Sequence, residues 1–158
     1  MKRLLFLFMA ISCNITACNT DDKTTPEEAG NNSVSDVKNL IVYYSWSGNS
    51  RKIATELQSI LNCDIVEITP ETPYTTDYNT MLNVAQSEIS AIDASGSYPA
   101  ITNNVDDIGD YDAVFLCYPL WWSRMATPAQ AFLHKHRNKL EGKTIALVCT
   151  SGSSGIDG

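Results

Sequence analysis

Apolar residues between positions 39 and 149 occur in two kinds of pattern that alternate along the chain. Short continuous runs rich in β-branched and aromatic residues predict strands that are buried on both faces. Longer stretches with apolar residues at a spacing of three or four predict helices that pack one face on a core. The predicted strands are 39–44, 64–68, 112–117 and 143–149, and the predicted helices are 50–61, 79–94 and a third that begins at Pro128 with Thr127 as its N-cap.

Strands that alternate with helices pair in parallel, because each helix returns the chain to the same end of the sheet. The sequence therefore predicts an α/β fold, an open parallel sheet with helices on both faces. Ligands of such sheets bind beyond the carboxyl ends of the strands. The loops that follow the strands are thus the places where functional residues are expected.

The first 17 residues have the features of an export signal. Lys2 and Arg3 precede the apolar run Leu4 to Ile11, which is too short to span a bilayer. Ile15-Thr16-Ala17-Cys18 resembles the lipobox of bacterial lipoproteins, in which lipid is attached to the cysteine. We expect residues 1–17 to be a lipoprotein signal peptide and Cys18 to be lipidated, with an ordinary export signal as the alternative.

Residues 18–38 are predicted to be a disordered tether. They consist mostly of Asp, Glu, Thr, Ser, Asn, Gly and Pro and contain too few apolar side chains to stay ordered alone. A simple N-terminal tail is the alternative interpretation. The resemblance to lipoproteins implies an exported protein of the cell envelope that a lipid at Cys18 holds on a bacterial membrane.

Composition excludes several functional classes. The 158 residues are 44% hydrophobic, which argues against disorder throughout, and the net charge of −7 argues against a nucleic-acid partner. Of the five cysteines, Cys63, Cys117 and Cys149 lie in the predicted domain and are expected to be free and buried. No Cys-x-x-Cys occurs and no histidine has ligand spacing to a cysteine, so no metal is expected.

The loop after the first strand is dense in hydroxyl groups. It runs Ser45-Trp46-Ser47-Gly48-Asn49-Ser50 and leads directly into a helix. The free N–H groups and positive dipole of a helix N-terminus bind phosphate, and Gly48 allows the backbone to approach it closely. An ordinary N-cap with polar neighbours is the alternative.

Two further loops have compositions that suit a planar, polar-edged ligand. After the third strand come Tyr118-Pro119-Leu120-Trp121-Trp122-Ser123-Arg124, whose paired tryptophans can stack on a flat ring or else cover the end of the core. After the fourth strand come Thr150-Ser151-Gly152, whose backbone can approach a ligand edge.

The charged residues near these loops are expected to face solvent. Arg124 is expected to be an exposed cation unless it reaches the ligand. His134 and His136 are expected on a solvated helix end with Lys135, Arg137 and Lys139.

These three loops together resemble those of the flavodoxin family. Flavodoxins bind the phosphate of flavin mononucleotide (FMN) with a loop of the form Ser/Thr-x-Ser/Thr-Gly-Asn-Ser/Thr, which 45–50 matches, and they line the flavin with a Tyr-Pro-x-Trp-Trp stretch and a Thr-Ser-Gly loop. The resemblance implies that Ser45, Ser47, Asn49 and Ser50 hold the phosphate. It also implies that Trp121 or Trp122 packs on the ring and that Ser151 and Gly152 meet its pyrimidine edge.

The resemblance implies an electron carrier that exchanges electrons with a redox protein or a small acceptor. One alternative is an FMN-dependent NAD(P)H or quinone reductase, which would show turnover with NADPH and a quinone. Another is a binding lipoprotein without flavin, which would be colourless. Flavodoxins have five strands in the order 2-1-3-4-5, and residues 39–158 supply four, in the order 2-1-3-4. We therefore expect this domain to be truncated at its C-terminus.

Overall fold

The computed structural model of the chain describes residues 37–103 and 105–152. The predicted signal peptide, Cys18 and most of the tether lie outside the described residues, as do residues 153–158. Lys38, which the sequence assigned to the tether, is attached to the fold: its N–H donates to Asp112 Oδ2 at 2.8 Å, and its carbonyl accepts from Asp112 N at 2.8 Å. The folded part therefore begins at least one residue before the first predicted strand.

Strands and helices alternate as predicted. The elements are β1 (Asn39–Tyr43), α1 (Asn49–Leu61), β2 (Asp64–Glu67), α2 (Tyr78–Ser95), a 3₁₀ turn (Ile108–Asp110), β3 (Ala113–Trp121), β4 (Arg124–Met125), α3 (Thr127–Leu140) and β5 (Thr144–Thr150). None of the helices in the described ranges is both long and apolar enough to cross a membrane.

Four of the strands form a parallel sheet in the order β2-β1-β3-β5. This confirms the predicted order, because β5 is the fourth of the strands expected from the sequence. β3 lies at the centre: Val114 pairs with Leu40 of β1 on one side and with Ile145 of β5 on the other. The short β4 pairs antiparallel with the far end of β3.

The sheet separates two layers of core, as the α/β prediction requires. On one face Leu40, Val114 and Leu116 are fully buried under α2 and α3, and on the other Ile41 and Cys117 are fully buried under α1. The edge strand β5 is less covered than its apolar sequence suggests. Its Ile145 and Leu147 are 38% and 56% exposed, because they lie on the outermost described strand of the sheet.

The segment predicted as a loop after the third strand is a hairpin. β3 runs on through Pro119 to Trp121, and residues 122–123 turn the chain into β4. Pro119 lacks an N–H, but its carbonyl accepts from Ala126 N at 3.1 Å, so the backbone is still tied down. The expected boundary at Cys117 was wrong, because this pairing extends the strand beyond its continuous apolar run.

The third helix begins one residue earlier than its capping pattern predicts. Ala126 is the N-cap and Thr127 is the first helical residue. The Thr127 side chain is fully buried, and its hydroxyl donates to Glu88 of α2 instead of capping its own helix. A tertiary contact therefore decides the position of this helix end.

The basic residues of α3 are not simply solvated. Lys135 Nζ donates to the Asn103 carbonyl at 2.6 Å, and Lys139 Nζ donates to the Asp106 carbonyl at 3.0 Å. Past the helix, Lys143 Nζ donates to the Tyr111 carbonyl at 2.8 Å. These ammonium groups thus hold the connection between α2 and β3.

His136 was expected at a solvated helix end, and this was wrong. The residue is 3% exposed, its ring centre lies 4.5 Å from that of Phe132, and its Nε2 has no hydrogen-bond partner among the described residues. Burial, together with the charges of Lys135 and Lys139, lowers the pKa of His136 below its ordinary value, because the imidazolium ion would lose its hydration.

We predict that His136 destabilises the protein in acid. The unfolded chain takes up the proton at about pH 6.5, whereas the folded protein resists it, so the free energy of unfolding is highest above that pH and falls below it. The slope from one such group is at most about 1.4 kcal/mol per pH unit.

Urea unfolding at pH values from about 7.5 to 5 should show a shallower fall in the free energy of unfolding for His136→Leu than for the wild type. The matched variant His134→Leu, at an exposed position, should keep the wild-type fall. Equal slopes in wild type and His136→Leu would contradict the assignment.

Candidate functional site

The loops that follow β1, β3 and β5 meet at one edge of the sheet around a pocket of about 410 Å³. Parallel pairing brings them together, since Tyr43 pairs with Cys117 and Pro119 pairs with Thr150. Most of the residues predicted for the site line this pocket. They are Trp46, Ser47, Asn49, Pro119, Leu120, Trp121, Trp122, Thr150, Ser151 and Gly152.

Helix α2 supplies a wall that the sequence analysis missed. Tyr78, Met81 and Leu82, from its first turns, line the pocket, and so does Ser123 of the hairpin turn. Met81 and Leu82 belong to the apolar stripe that predicted a core helix, and Met81 is indeed 1% exposed. Only the packing of α2 beside the hairpin shows that the start of this stripe also faces a cavity.

The polar end of the pocket is built on the N-terminus of α1. Gly48 is the N-cap, with φ of +88°, and as a glycine it has no side chain that could cap the first turn. This left-handed conformation favours glycine. The first-turn N–H groups remain available, and the first turn contains no acidic residue. Such a helix end attracts an anion through its N–H groups and its dipole.

Three predicted residues do not line the pocket. Gly48 has no side chain to offer. Ser50 is 1% exposed and its Oγ lies 2.8 Å from Thr150 Oγ1, so it joins α1 to the end of β5. Ser45 Oγ is buried and has no hydrogen-bond partner in residues 37–103 and 105–152, and the residue lines a neighbouring cleft together with Tyr44 and Glu67.

Arg51, a cation at this helix end, is already paired with a carboxylate. Arg51 Nη2 lies 2.5 Å from Glu67 Oε1, and the hydroxyl of Tyr43 donates to Glu67 Oε2 at 2.9 Å. The hydrogen bonds and charge of Glu67 raise the pKa of Arg51 further. An anion at this end of the pocket would therefore be held by hydrogen-bond donors and the helix dipole, with the Arg51 charge largely compensated by Glu67.

Aromatic rings form the other walls. Trp121 is 4% exposed at the base of the hairpin, whereas Trp122 and Tyr78 are 51% and 59% exposed at the mouth. Trp46 is held by its Nε1, which donates to the Thr75 carbonyl at 2.9 Å, and its ring centre lies 6.0 Å from that of Tyr78. Apolar walls with a polar end suit a planar ligand that carries an anionic tail.

The hairpin turn is strained and is hydrogen-bonded to α2. Trp122 and Ser123 have φ of +53° and +58°, a region that disfavours residues with a Cβ. Trp122 Nε1 donates to the Leu82 carbonyl at 3.1 Å, and Arg124 makes two hydrogen bonds to Asp93, at 2.7 and 2.9 Å. Arg124 is thus engaged by α2 and does not line the pocket.

Three thiols occur in the described ranges. Cys63, Cys117 and Cys149 are free; Cys117 is fully buried, and burial raises its pKa to about 11, so it is unreactive at neutral pH. Cys63 and Cys149 are only partly buried, contrary to expectation. In the described ranges no three His, Cys, Asp or Glu side chains are placed to hold a metal ion.

Comparison with known families gives the same interpretation as this geometry. The flavodoxin family model matches residues 38–158. The chain belongs to the flavodoxin family. A comparison with curated protein sequences finds no match.

Solved structures resemble this flavodoxin over three quarters of its length. A protein of Bacteroides eggerthii described as a flavoprotein is 33% identical, with a TM-score of 0.66 over 75% of this chain and 74% of that one. A flavoprotein of Lactobacillus acidophilus in complex with FMN is 27% identical, with a TM-score of 0.65 over 74% and 76%. A third, from Bacteroides uniformis and also described as a flavoprotein, is 27% identical, with a TM-score of 0.64 over 75% of both chains. The flavodoxin family match and the FMN complex of the Lactobacillus acidophilus flavoprotein support the prediction that the cofactor is FMN.

The residues of this flavodoxin fit FMN. The N-terminus of α1, with Ser47 and Asn49 on the adjoining pocket wall, offers donors that a phosphate can accept from. The aromatic walls around Trp121 and Trp122 suit a flat ring system.

We predict that Ser123→Gly stabilises this flavodoxin. Glycine adopts the positive φ of the turn without a Cβ penalty, so the free energy of unfolding should rise by about 0.5 to 1 kcal/mol in urea denaturation. Ser87→Gly, on an exposed position of α2, is the matched control and should lower it, because glycine disfavours a helix interior. A loss of stability in both variants would show that the turn is not strained.

Proposed function

We propose that this flavodoxin binds FMN in the pocket at the sheet edge and works as an electron-transfer protein. The observation that carries the proposal is that one pocket joins an uncapped helix N-terminus to a wall of aromatic rings. A ligand that matches both ends needs a phosphate and a planar ring, and FMN has both. The complex of the Lactobacillus acidophilus flavoprotein with FMN supports this choice.

The protein's contribution at the phosphate end is a set of neutral donors. Ser47 and Asn49 line the pocket with exposed side chains, at the start of α1. Ser50 does not face the pocket, but its hydrogen bond to Thr150 ties this helix end to the loop after β5. That tie fixes the distance between the phosphate end and the edge formed by Ser151 and Gly152.

At the ring end the protein supplies stacking surfaces. Trp121 is buried and fixed, since the ring centre of Tyr44 lies 5.5 Å away in an edge-on arrangement. Bound FMN supplies the capacity to accept and donate electrons, and the fold positions it and tunes its potential. The exposed rings of Trp122 and Tyr78 leave the mouth open to a redox protein or a small acceptor.

The Ser47 side chain gives the sharpest test of the phosphate site. Ser47→Asp places a negative charge at the pocket end of α1, where it repels the phosphate, and we expect FMN affinity to fall at least about tenfold, which corresponds to about 1.4 kcal/mol. Titration of the apoprotein with FMN, followed by the quenching of flavin fluorescence, measures the change.

Ser59→Asp is the matched control, because it adds the same charge to an exposed position of the same helix, far from its N-terminus. It should bind FMN as the wild type does. A wild-type protein that is colourless after unbound FMN has been removed, or equal affinities of the two variants for FMN, would refute the proposed site.

We further propose that the protein is exported and held on a bacterial membrane by lipid at Cys18. The support is in the sequence: a basic start, the apolar run of residues 4–11 and the segment Ile15-Thr16-Ala17-Cys18. The polar residues that follow would then separate the domain from the membrane surface.

We predict that Cys18→Ser abolishes lipid attachment. When the full-length chain is expressed in a bacterium with a labelled fatty acid, the wild type should carry the label and sediment with membranes, whereas Cys18→Ser should not. Cys13→Ser is the matched control, since Cys13 lies inside the predicted signal, and it should leave the labelling unchanged. Label that persists in Cys18→Ser would contradict the proposal.

A further inference from the structure

A cluster of three aromatic side chains lies between the site pocket and a second cavity. The ring centre of Trp121 lies 5.1 Å from that of Tyr74 and 5.5 Å from that of Tyr44, in both cases with the rings steeply inclined. The two tyrosine rings are 6.0 Å apart. All three are therefore in van der Waals contact, with no gap for water between them.

The two ends of this cluster face different spaces. Trp121 lines the site pocket. Tyr74 lines a separate cavity of about 200 Å³, together with Glu88 of α2, Pro70 and Pro99. A charge that enters at Trp121 can thus reach the second cavity through one further ring.

The Tyr74 hydroxyl has a base in direct contact. It donates to Glu88 Oε2 at 2.6 Å, and the hydroxyl of Thr127 donates to the same oxygen. Burial and this carboxylate raise the pKa of Tyr74, so the phenol keeps its proton in the resting protein. A phenol that gives up an electron becomes strongly acidic, and it is readily oxidised only where a base can accept its proton at the same time.

We propose that Tyr74 is a redox-active side chain that donates one electron to an oxidant in the site pocket by way of Trp121, with Glu88 as its proton acceptor. The inference rests on the proposed function, because the oxidant it names is light-excited flavin. The flavin gains one electron, Tyr74 loses one electron and its phenolic proton, and the proton moves from Oη to Glu88 Oε2. Return of the electron and the proton restores the starting state.

Tyr44 is an internal comparison. It is 5% exposed and contacts Trp121 at nearly the same distance as Tyr74 does, but among residues 37–103 and 105–152 no carboxylate accepts a hydrogen bond from its hydroxyl. Proximity to Trp121 is thus common to both tyrosines, and of the two only Tyr74 donates to a carboxylate of the described residues. The two residues separate the effect of the base from the effect of distance.

The test uses the FMN-loaded full chain and blue-light flashes, with the neutral tyrosyl radical detected by transient absorption and by electron paramagnetic resonance. We expect a radical in the wild type and in Tyr44→Phe, and at least a fivefold smaller yield in Tyr74→Phe. Glu88→Gln keeps a hydrogen-bond acceptor at this position but removes the base, and should lower the yield similarly. The rate in the wild type should fall in D₂O.

A yield in Tyr74→Phe equal to that of the wild type, or an equal loss in Tyr44→Phe, would overturn the inference. Bound FMN is measured before each flash, so that failure of cofactor binding is seen separately. If the protein binds no FMN, the same four proteins are oxidised with a photoexcited ruthenium polypyridyl complex. The same order of radical yields would then support the tyrosine assignment, and equal yields would refute it.

Discussion

The central position of β3 is the constraint on which the rest of the structure depends. This strand pairs in parallel with β1 through residues 113–117 and with β5 through residues 113–119. Parallel pairing leaves no freedom in where the strands end, so the loops after β1, β3 and β5 must lie side by side. The pocket is a consequence of this register, because its polar end, its aromatic wall and its third edge each follow a different strand.

The length of β3 adds a second consequence. Because it continues to Trp121, past the last residue that pairs with β1, it carries the hairpin beyond the sheet and over the start of α2. The strained turn at Trp122 and Ser123 is retained because the contacts of Trp122 with Leu82 and of Arg124 with Asp93 tie it to α2. Strain of this kind persists where the surrounding structure determines the conformation.

Most of the sheet and most of the site could be predicted from the sequence, because both depend on local pattern. Continuous apolar runs mark β1 and β3, and the hydroxyl-rich loop before α1 is a local signal. The hairpin, the pocket wall at Tyr78 and the burial of His136 depend on which surfaces α2 and α3 meet, and neither periodicity nor spacing records that choice. Thr127 illustrates the difference. Its sequence context favours an N-cap, whereas its hydroxyl donates a hydrogen bond to Glu88, 39 positions away.

Electrostatics links the site to the rest of the molecule. Arg51 and Arg124 adjoin the loops after β1 and β3, and both are engaged by carboxylates: Arg51 by Glu67 and Arg124 by Asp93. In a chain with a net charge of −7, an anionic ligand is therefore held by oriented dipoles and hydroxyl groups. Oriented donors favour a phosphate only when it sits in their geometry, whereas an unpaired arginine would attract any anion. Because both arginines are paired, they attract distant anions less strongly. Binding then depends on the fit of the ligand to the α1 helix end and the aromatic walls.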